Sequence, residues 1–353
     1  MSPATLHAAP AAAPFCNGTA QHVFRFRYEG PPGPLHATLL ERYRFGRSAA
    51  WARGFYPHRV RLNGAPVHAD TAVRPGDEVA YRHARADEPP PPRLGPALHE
   101  DPWLLALAKP DTVPVSPAGV FYFSALAIQA REDFAAPELT PLHRLDLETS
   151  GVLLCARRRA DLGTWHGLFL RKALAKRYRA LVHGRFPPAL HAIAGRIVPD
   201  AASRIHTRLR LEPLPPGEAE RLAAGPPARR PRHAPEEVSL TRIHAVTWHE
   251  LGARGTFSEL ELEPVTGKTN QLRVHLAHVG HPIVGDKKYH PDEAVFLDWH
   301  AHRDFARLAG RLLLPRQALL CEALAFVHPF TGEPLCIRAP AALWRAKLAE
   351  LLE

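Results

Sequence analysis

Cysteine is scarce in this sequence. The four cysteines among its 353 residues lie far apart and form no CxxC pair, so the chain encodes neither a zinc knuckle nor a disulfide framework. Long apolar runs are missing as well, because no stretch of about 18 apolar residues occurs, and the Ala/Pro-rich start carries no basic segment of a signal peptide. We therefore expect a cytoplasmic protein that is neither secreted nor membrane-spanning.

Lysine is rare compared with arginine. Of the 45 basic residues, 38 are arginine and 7 are lysine, and the net charge is +10. A guanidinium pairs with phosphate through two parallel hydrogen bonds and stacks on bases, so this composition suits a polyanion. A drift of composition toward Ala, Arg, Pro and Gly explains the arginine excess equally well. On charge alone, nucleic acid is the leading expected partner.

The sequence predicts a small domain followed by a large one. Residues 1–21 form an Ala/Pro tail that we expect to be disordered, and strand-like alternation begins directly after it with HVFRFRY. A small domain over residues 22–86 precedes a Pro-rich linker at 87–97. Residues 98–353 alternate short strands and helices, which predicts one α+β domain. A Pro-, Gly- and Arg-rich insertion at 213–235 is expected to be mobile.

Three polar segments of the large domain carry residue types suited to chemistry. They are Pro141–Arg157, Lys172–Gly184 and Glu263–Tyr289. The first crowds polar side chains, Asp146 among them, before an apolar strand predicted from Val152 to Ala156. The second alternates Lys176 and Tyr178 on one face of a strand with arginines on the other face. The third joins a strand, a glycine turn and a helix that carries Arg273.

Together these segments resemble the RluA family of RNA pseudouridine synthases, over roughly residues 98–345. The run HRLDLETSG matches the family's motif HRLDxxTSG at every fixed position, and KRYRALVHG matches its K-x-Y-x-A-L-V-x-G strand. QLRVHLAHVGHPIVGD matches a third motif, while LALAKPDTVPVSP and FVHPFTGEPLCIRAP resemble the opening strand and the closing hairpin. The resemblance implies an α+β pseudouridine synthase fold with a mixed, mainly antiparallel central sheet.

The resemblance also implies a reaction and the residues that perform it. A uridine within ribosomal or transfer RNA is detached at its N1–C1′ bond, turned over and rejoined through C5. Asp146 matches the catalytic aspartate, which either adds to C1′ or removes a sugar proton. Arg273 matches the arginine that forms an ion pair with it, and Tyr178 matches the tyrosine that packs on the base. Arg144 and Lys176 are expected to contact the RNA, and the alternative for Arg144 is a salt bridge to Glu148 or to the chain.

The N-terminal domain resembles the αL-type RNA-binding module of a small-subunit ribosomal protein. The likeness lies in GRSAAWAR, VRLNGAPV and VRPGDEVAY. Arg47 and Arg53 of this module are expected to face RNA phosphates, although a solvated basic face without a partner suits them nearly as well.

The third motif departs from the family in its glycine turn. The family usually reads GRTHQ there, whereas this chain reads GKTNQ, so Lys268 and Asn270 stand at the Arg and His positions. Both are polar and able to donate hydrogen bonds to phosphate. We expect the change to affect how the turn grips RNA rather than whether catalysis occurs, and we assign neither residue a role.

Two other functions stay open at this point. A metalloenzyme is one, because His275, His278 and His281 recur at three-residue spacing near Asp286, although the Gly-His-Pro break moves the third histidine off the shared helix face. A catalytically inactive RNA-binding protein of the same fold is the other, and the presence of Asp146 speaks against it. We expect an active isomerase that works as a monomer on structured RNA and needs no cofactor and no metal.

Overall fold

The computed structural model of the protein describes residues 23–38, 60–82, 94–118, 121, 124–171, 173–215, 218 and 238–352. The chain divides into two units, Met1–Pro91 with Pro117–Ser124 and Pro92–Ser116 with Ala125–Glu353. The predicted tail 1–21 lies outside the described residues, as do most of the predicted linker and most of the predicted insertion.

Short antiparallel strands and a helical segment at 35–38 form most of the described part of the first unit. One sheet has four strands in the order β1 (Val23–Arg27), β6 (Glu78–Arg82), β3 (Val60–Leu62) and β4 (Ala65–Pro66). A second sheet pairs β2 (Gly33–Pro34) with β5 (Ala72–Val73). The small core of this unit consists of the buried side chains of Leu35, Val60, Val67, Val73 and Val79.

Two turns of this unit are tied together by one asparagine. Asn63 and Gly64 join β3 to β4 with φ values of 51° and 84°, the left-handed backbone that an Asn-Gly hairpin turn requires. The Asn63 side chain then donates to Asp77 Oδ1 at 2.8 Å and accepts from the backbone N–H of Glu78 at 2.9 Å. The Pro-Gly-Asp turn before β6 is thereby fixed against the Asn-Gly turn.

The second unit contains the remaining strands and helices. Its strands are β7 (His99–Glu100), β8 (Leu104–Lys109), β9 (Thr140–Pro141), β10 (Ser150–Ala156), β11 (Leu174–His183), β12 (Ala192–Pro199), β13 (Leu209–Pro213), β14 (Val238–Glu250), β15 (Thr256–Pro264), β16 (Leu319–Val327) and β17 (Pro334–Arg338). Its helices are α1 (Leu126–Asp133), α2 (Leu162–Leu170), α3 (Gln271–His278), α4 (Ala294–His302), α5 (Ala309–Leu312) and α6 (Ala341–Leu352). Within the described ranges no helix is long and apolar enough to cross a membrane.

These strands form one large sheet in the order β13-β12-β14-β15-β11-β16-β10-β8-β7, with β17 paired to β16 and β9 to β10. Every neighbouring pair is antiparallel except β10 and β16, which run parallel through Ser150 and Gly151. The predicted α+β class with a mixed, mainly antiparallel sheet is therefore confirmed. All seven residues of β10 are buried, as expected for an apolar run in the middle of a sheet.

The parallel pair divides the core of the second unit into two halves. One apolar cluster packs around β8, β10 and α2, and the other packs around β11, β15 and α3. Tyr178 of β11 contacts both clusters and so lies at their junction.

Strand register places the quoted motifs in one row across the sheet. Tyr178 of β11 and Gly151 of β10 both lie opposite Cys321 of β16, and Lys109 of β8 lies opposite Gly151. Three motifs that are far apart in the sequence therefore meet at one level of the sheet. The loop that carries Asp146 enters β10 at this level.

Gly151, the last residue of HRLDLETSG, is required by the close approach of β16. Its φ is +118°, and a Cβ placed on it would overlap the carbonyl oxygen of Cys321 and lie 2.7 Å from the carbonyl carbon. Both the backbone angle and the contact exclude a larger residue. The glycine therefore permits the parallel pairing that joins the two halves of the sheet.

We predict that Gly151→Ala destabilises the protein by about 3 kcal/mol or more, because it adds a backbone clash to an unfavourable φ. The free energy of unfolding, measured by chemical denaturation, checks this. Gly163→Ala is the matched control, since Gly163 lies in α2 with no other atom within 4 Å of an added Cβ. Equal stability of the two variants would contradict the assignment.

Candidate active site

The predicted ion pair between Asp146 and Arg273 is present. Arg273 Nη1 donates to Asp146 Oδ2 at 2.8 Å. The Arg273 side chain is 13% exposed and the Asp146 side chain 27%, so the guanidinium lies beneath the carboxylate, which faces the surface. Within the described residues Asp146 Oδ1 makes no hydrogen bond. One carboxylate oxygen is thus held while the other stays available.

A second carboxylate, that of Asp286, orients the guanidinium from behind. Asp286 Oδ2 accepts from Arg273 Nε at 2.7 Å and Oδ1 accepts from Nη2 at 2.9 Å, in a bidentate arrangement. The Asp286 side chain is fully buried, and Oδ1 also accepts the backbone N–H groups of Lys288 and Tyr289. Burial alone raises the pKa of Asp286, but the Arg273 guanidinium outweighs this effect and leaves that pKa below its usual 3.8.

The loop around Asp146 is anchored by long-range contacts on both sides. Glu148 Oε1 accepts from Lys287 Nζ at 2.6 Å, and Thr149 Oγ1 accepts from Gln317 Nε2 at 2.6 Å. The Leu145 side chain is buried in the apolar core. These contacts fix the loop immediately before and after Asp146.

Lys109 holds the same loop through its backbone. Its buried Nζ donates to the carbonyl oxygens of Pro110, Leu147 and Thr149 at 2.8, 2.9 and 2.9 Å. Three carbonyl acceptors match the three N–H donors of an ammonium group. Burial lowers the pKa of Lys109 to about 7, and the carboxylates of Asp111 and Asp146 oppose that shift.

His143 supports the loop as a hydrogen-bond acceptor. Its Nε2 accepts the backbone N–H of Leu154 in β10 at 3.0 Å, which places the single N–H proton of the neutral ring on Nδ1. Burial lowers the pKa of His143 to about 3, so the ring is neutral near neutral pH. This hydrogen bond ties the beginning of the loop to β10.

Tyr178 lies beside Asp146 with its hydroxyl already engaged. Burial raises the pKa of Tyr178, and the Cys321 side chain, which forms a hydrogen bond with the hydroxyl, raises it further, as does the charge of Asp146. The phenol therefore stays protonated. Arg179, the next residue, points to the opposite face of β11, where it pairs with Glu259 at 2.7 Å and Glu322 at 2.9 Å.

The structure describes two of the four arginines and lysines expected to bind RNA. Arg144 is exposed and makes no ion pair with a described residue, and Glu148, its alternative partner, is bound by Lys287. Lys176 lines a cleft of about 510 Å³. Arg47 and Arg53 lie outside the described residues.

The asparagine that departs from the family motif has a clear structural partner. Asn270 precedes α3 with a φ of 54° and donates from Nδ2 to the hydroxyl of Tyr289 at 3.1 Å. Its Oδ1 accepts from Arg273 Nη1 at 3.4 Å. Asn270 thus links the aromatic ring beneath Arg273 to the guanidinium itself.

The histidines that suggested a metal site have other partners. His275 Nε2 lies 2.8 Å from Ser239 Oγ, and His281 Nδ1 lies 2.8 Å from the carbonyl oxygen of His183. Asp286 binds Arg273 instead of joining them. In the part of the chain that the structure describes, no three His, Cys, Asp or Glu side chains are grouped to hold a metal ion.

Sequence reasoning gave no role to Lys109, Lys287 or Gln317, and it considered Asp286 only as a metal ligand. Two of these four carried a signal. Lys109 is a charged residue at the end of the apolar run LLALAK, and Asp286 stands in a motif beside buried apolar residues. A charge in such surroundings indicates a buried ionic partner.

We predict that Asp286→Asn lowers the free energy of unfolding by about 3 kcal/mol or more near neutral pH, because it leaves a buried guanidinium short of one negative charge. The lowered pKa of Asp286 means that the carboxylate contributes stability above its ordinary pKa and loses it as the pH falls through the lowered value. The difference in the free energy of unfolding between wild type and Asp286→Asn should therefore become smaller below about pH 4. Chemical denaturation at a series of pH values measures it.

Asp298→Asn is the control, since Asp298 pairs with Arg307 at the surface, where an ion pair contributes little. A wild-type-to-Asp286→Asn difference that stays constant down to about pH 3.5 would show that the charge of Asp286 is not what stabilises the fold.

Comparisons with known proteins agree on one family. The model of the RNA pseudouridylate synthase family matches residues 104–278. The chain is 30% identical over 292 residues to a ribosomal large subunit pseudouridine synthase C of Yersinia pestis, covering 80% of both chains. It is 28% identical over 295 residues to the protein of that name from Escherichia coli strain K12, covering 80% of this chain and 81% of the relative.

A solved structure shares the fold. Human RNA pseudouridylate synthase domain containing 1 matches with a TM-score of 0.51 and 24% identity, over 70% of this chain and 83% of that one. The matched family model spans β8 to α3, the region that brings Asp146, Tyr178 and Arg273 together. This chain therefore belongs to the RluA family of RNA pseudouridine synthases, enzymes that isomerise uridine within RNA.

Proposed function

We propose that the protein converts a uridine of large-subunit ribosomal RNA into pseudouridine, with Asp146 as the catalytic carboxylate. One observation carries the catalytic assignment: Asp146 binds Arg273 through Oδ2 and keeps Oδ1 without a hydrogen bond among the described residues. The names of the relatives, which specify the large ribosomal subunit, support the choice of RNA. Transfer RNA is the alternative substrate.

The chemistry needs one carboxylate beside the sugar and no net redox change. The N1–C1′ bond breaks, the uracil turns over, a bond forms between C5 and C1′, C5 loses a proton and N1 gains one. Asp146 Oδ1 either adds to C1′ or removes a sugar proton. In both cases the fixed Arg273 guanidinium orients the carboxylate and balances its charge, which stabilises it in a partly desolvated cleft.

Tyr178 is proposed to stack on the uracil ring. Its hydroxyl is bound by the Cys321 side chain, so the ring face is the part that is available to a base. An aromatic face suits a base that has left its stack, because it replaces part of the lost stacking. The junction of the two core clusters fixes the ring in place.

The loop tip provides the surface that receives the opened RNA. Arg144 is exposed, and Leu147 is an exposed apolar side chain, 39% accessible, directly after Asp146. Extruding a base costs a few kcal/mol, which a planar cation and an apolar contact offset by packing on the remaining nucleotides. Lys176 is proposed to bind RNA in its cleft, and Arg47 and Arg53 to bind RNA through the N-terminal unit.

We predict that Asp146→Ala abolishes pseudouridine formation and leaves RNA affinity largely unchanged. Pseudouridine is mapped in RNA from three kinds of cell. These are cells that have the gene, cells from which it has been deleted, and deletion cells that express either the wild-type protein or a variant. One site in large-subunit ribosomal RNA should disappear on deletion, return with wild type and with the control variant, and stay absent with Asp146→Ala. Arg345→Ala is the control, since Arg345 is exposed on α6 and makes no ion pair with a described residue.

Two outcomes would overturn parts of this proposal separately. Restoration of the site by Asp146→Ala would mean that Asp146 is not the catalytic carboxylate. Loss of a site in transfer RNA instead of ribosomal RNA would overturn the substrate and leave the catalytic assignment standing.

For Tyr178 we predict that Phe is tolerated and Ala is not. Loss of the ring should lower the rate by about 10- to 100-fold, the usual effect of removing one base–aromatic stack. Loss of the hydroxyl removes only the hydrogen bond to Cys321 and should lower the rate by about five-fold at most. Single-turnover rates on unmodified ribosomal RNA measure both, and equal losses would assign the function to the hydroxyl.

A further inference from the structure

Three cations surround one buried aromatic ring next to the candidate site. The centroid of the Tyr289 ring lies 5.0 Å from Arg273 Cζ, 5.8 Å from Arg208 Cζ and 5.8 Å from Lys288 Nζ. An aromatic face attracts cations, but it does not neutralise their charge. Each cation in this partly desolvated region therefore needs an anion.

Two of the three cations have carboxylate partners within the protein. Arg273 binds Asp286 and Asp146. Arg208 Nη1 lies 3.3 Å from Glu293 Oε1, and its Nε lies 3.9 Å from Asp200 Oδ2. Both guanidinium charges are thereby balanced.

Lys288 differs from these neighbours. Its backbone N–H donates to Asp286 Oδ1 at 3.0 Å, but its Nζ has no hydrogen-bond or ion-pair partner among the described residues. The adjacent Lys287, by contrast, gives its ammonium group to Glu148. The half-buried Lys288 ammonium group therefore has no direct anionic partner among the described residues.

The surroundings of Lys288 disfavour its charge in the absence of an anion. Burial lowers the pKa of Lys288, and repulsion by Arg273 lowers it further, while the charge of Asp146 acts in the opposite direction. Lys288 is therefore close enough to both members of the central ion pair to feel their charges. An incoming anion would relieve this cost, and the phosphodiester is the anionic group of RNA.

We propose that Lys288 binds a backbone phosphate at or next to the target uridine and so holds the ribose over Asp146. The inference rests on the proposed function, because the phosphate belongs to the RNA that this site modifies. Lys288 acts here as a positioning residue, and the sugar chemistry stays with Asp146. A free phosphate ion offers the same chemistry, so the test separates it from RNA.

The test compares Lys288→Met, Lys288→Arg and Arg345→Ala with wild type. The probe is large-subunit ribosomal RNA from cells that lack the gene, and Kd is measured at several salt concentrations. Lys288→Met should weaken binding by about ten-fold and reduce the slope of log Kd against log salt by about 0.7 to 1, as expected for the loss of one phosphate contact. Lys288→Arg should restore both values.

Arg345→Ala removes the same charge from a site on α6 and should leave affinity and salt slope nearly unchanged. If it matches Lys288→Met, or if Lys288→Met keeps the wild-type slope, the phosphate contact is overturned. Thermal stabilisation by inorganic phosphate that Lys288→Met loses without any change in RNA binding would identify a free-anion site and would also overturn the proposal.

Pseudouridine formation by wild type on the same RNA separates the two hypotheses. An active wild type with an unchanged Lys288→Met slope overturns only the role of Lys288. A wild type that binds the RNA but forms no pseudouridine in any RNA overturns the proposed function and, with it, the positioning role. Unfolding curves of all variants exclude a general loss of structure.

Discussion

The second unit is organised around one guanidinium. Arg273 has three nitrogens that donate in one plane, and Asp286 fixes that plane by accepting from two of them. The remaining direction leads to Asp146. Because Asp286 is fully buried and cannot move without leaving a charge unpaired, the position of the exposed carboxylate is set from inside the protein. Two carboxylates share one cation, so these three side chains together carry a net negative charge.

The parallel contact between β10 and β16 explains how these residues come together. If every strand pair were antiparallel, each of the two core clusters would be formed by its own hairpins, and no strand pair would join them. The parallel contact at Ser150 and Gly151 brings the start of β10 beside the start of β16, and β11 lies on the other side of β16. Gly151, at the end of the loop that carries Asp146, and Tyr178 of β11 therefore both lie opposite Cys321 of β16.

Much of this arrangement could be predicted from the sequence, and the limits have a physical cause. The motif HRLDLETSG and the helix carrying Arg273 predicted the ion pair, since each residue type and its order along the chain matched a known pattern. The strand β10 and the helix α3 also followed from local periodicity. The local sequence pattern does not predict, however, which backbone carbonyl oxygen a lysine far away in the sequence binds. The contact from Lys109 to Thr149 spans 40 residues.

The partner of Asp286 is a second contact that the local sequence pattern did not reveal. Its proximity to three histidines in the sequence suggested a metal ligand, whereas the turn after α3 directs the carboxylate back under Arg273. Asn270 could not be interpreted because its partner, the hydroxyl of Tyr289, lies 19 residues further on. In each case the missing information was the path of the chain after an element, rather than the element itself.

The way in which Lys109 holds the loop has a consequence for residue 147. Lys109 binds the carbonyl oxygen of Leu147, which every amino acid possesses, and leaves the Leu147 side chain exposed. The position of the loop that carries Asp146 therefore does not depend, through this hydrogen bond, on which side chain residue 147 carries. A substitution at residue 147 would change the side chain that is exposed next to Asp146 and leave the hydrogen bond from Lys109 in place.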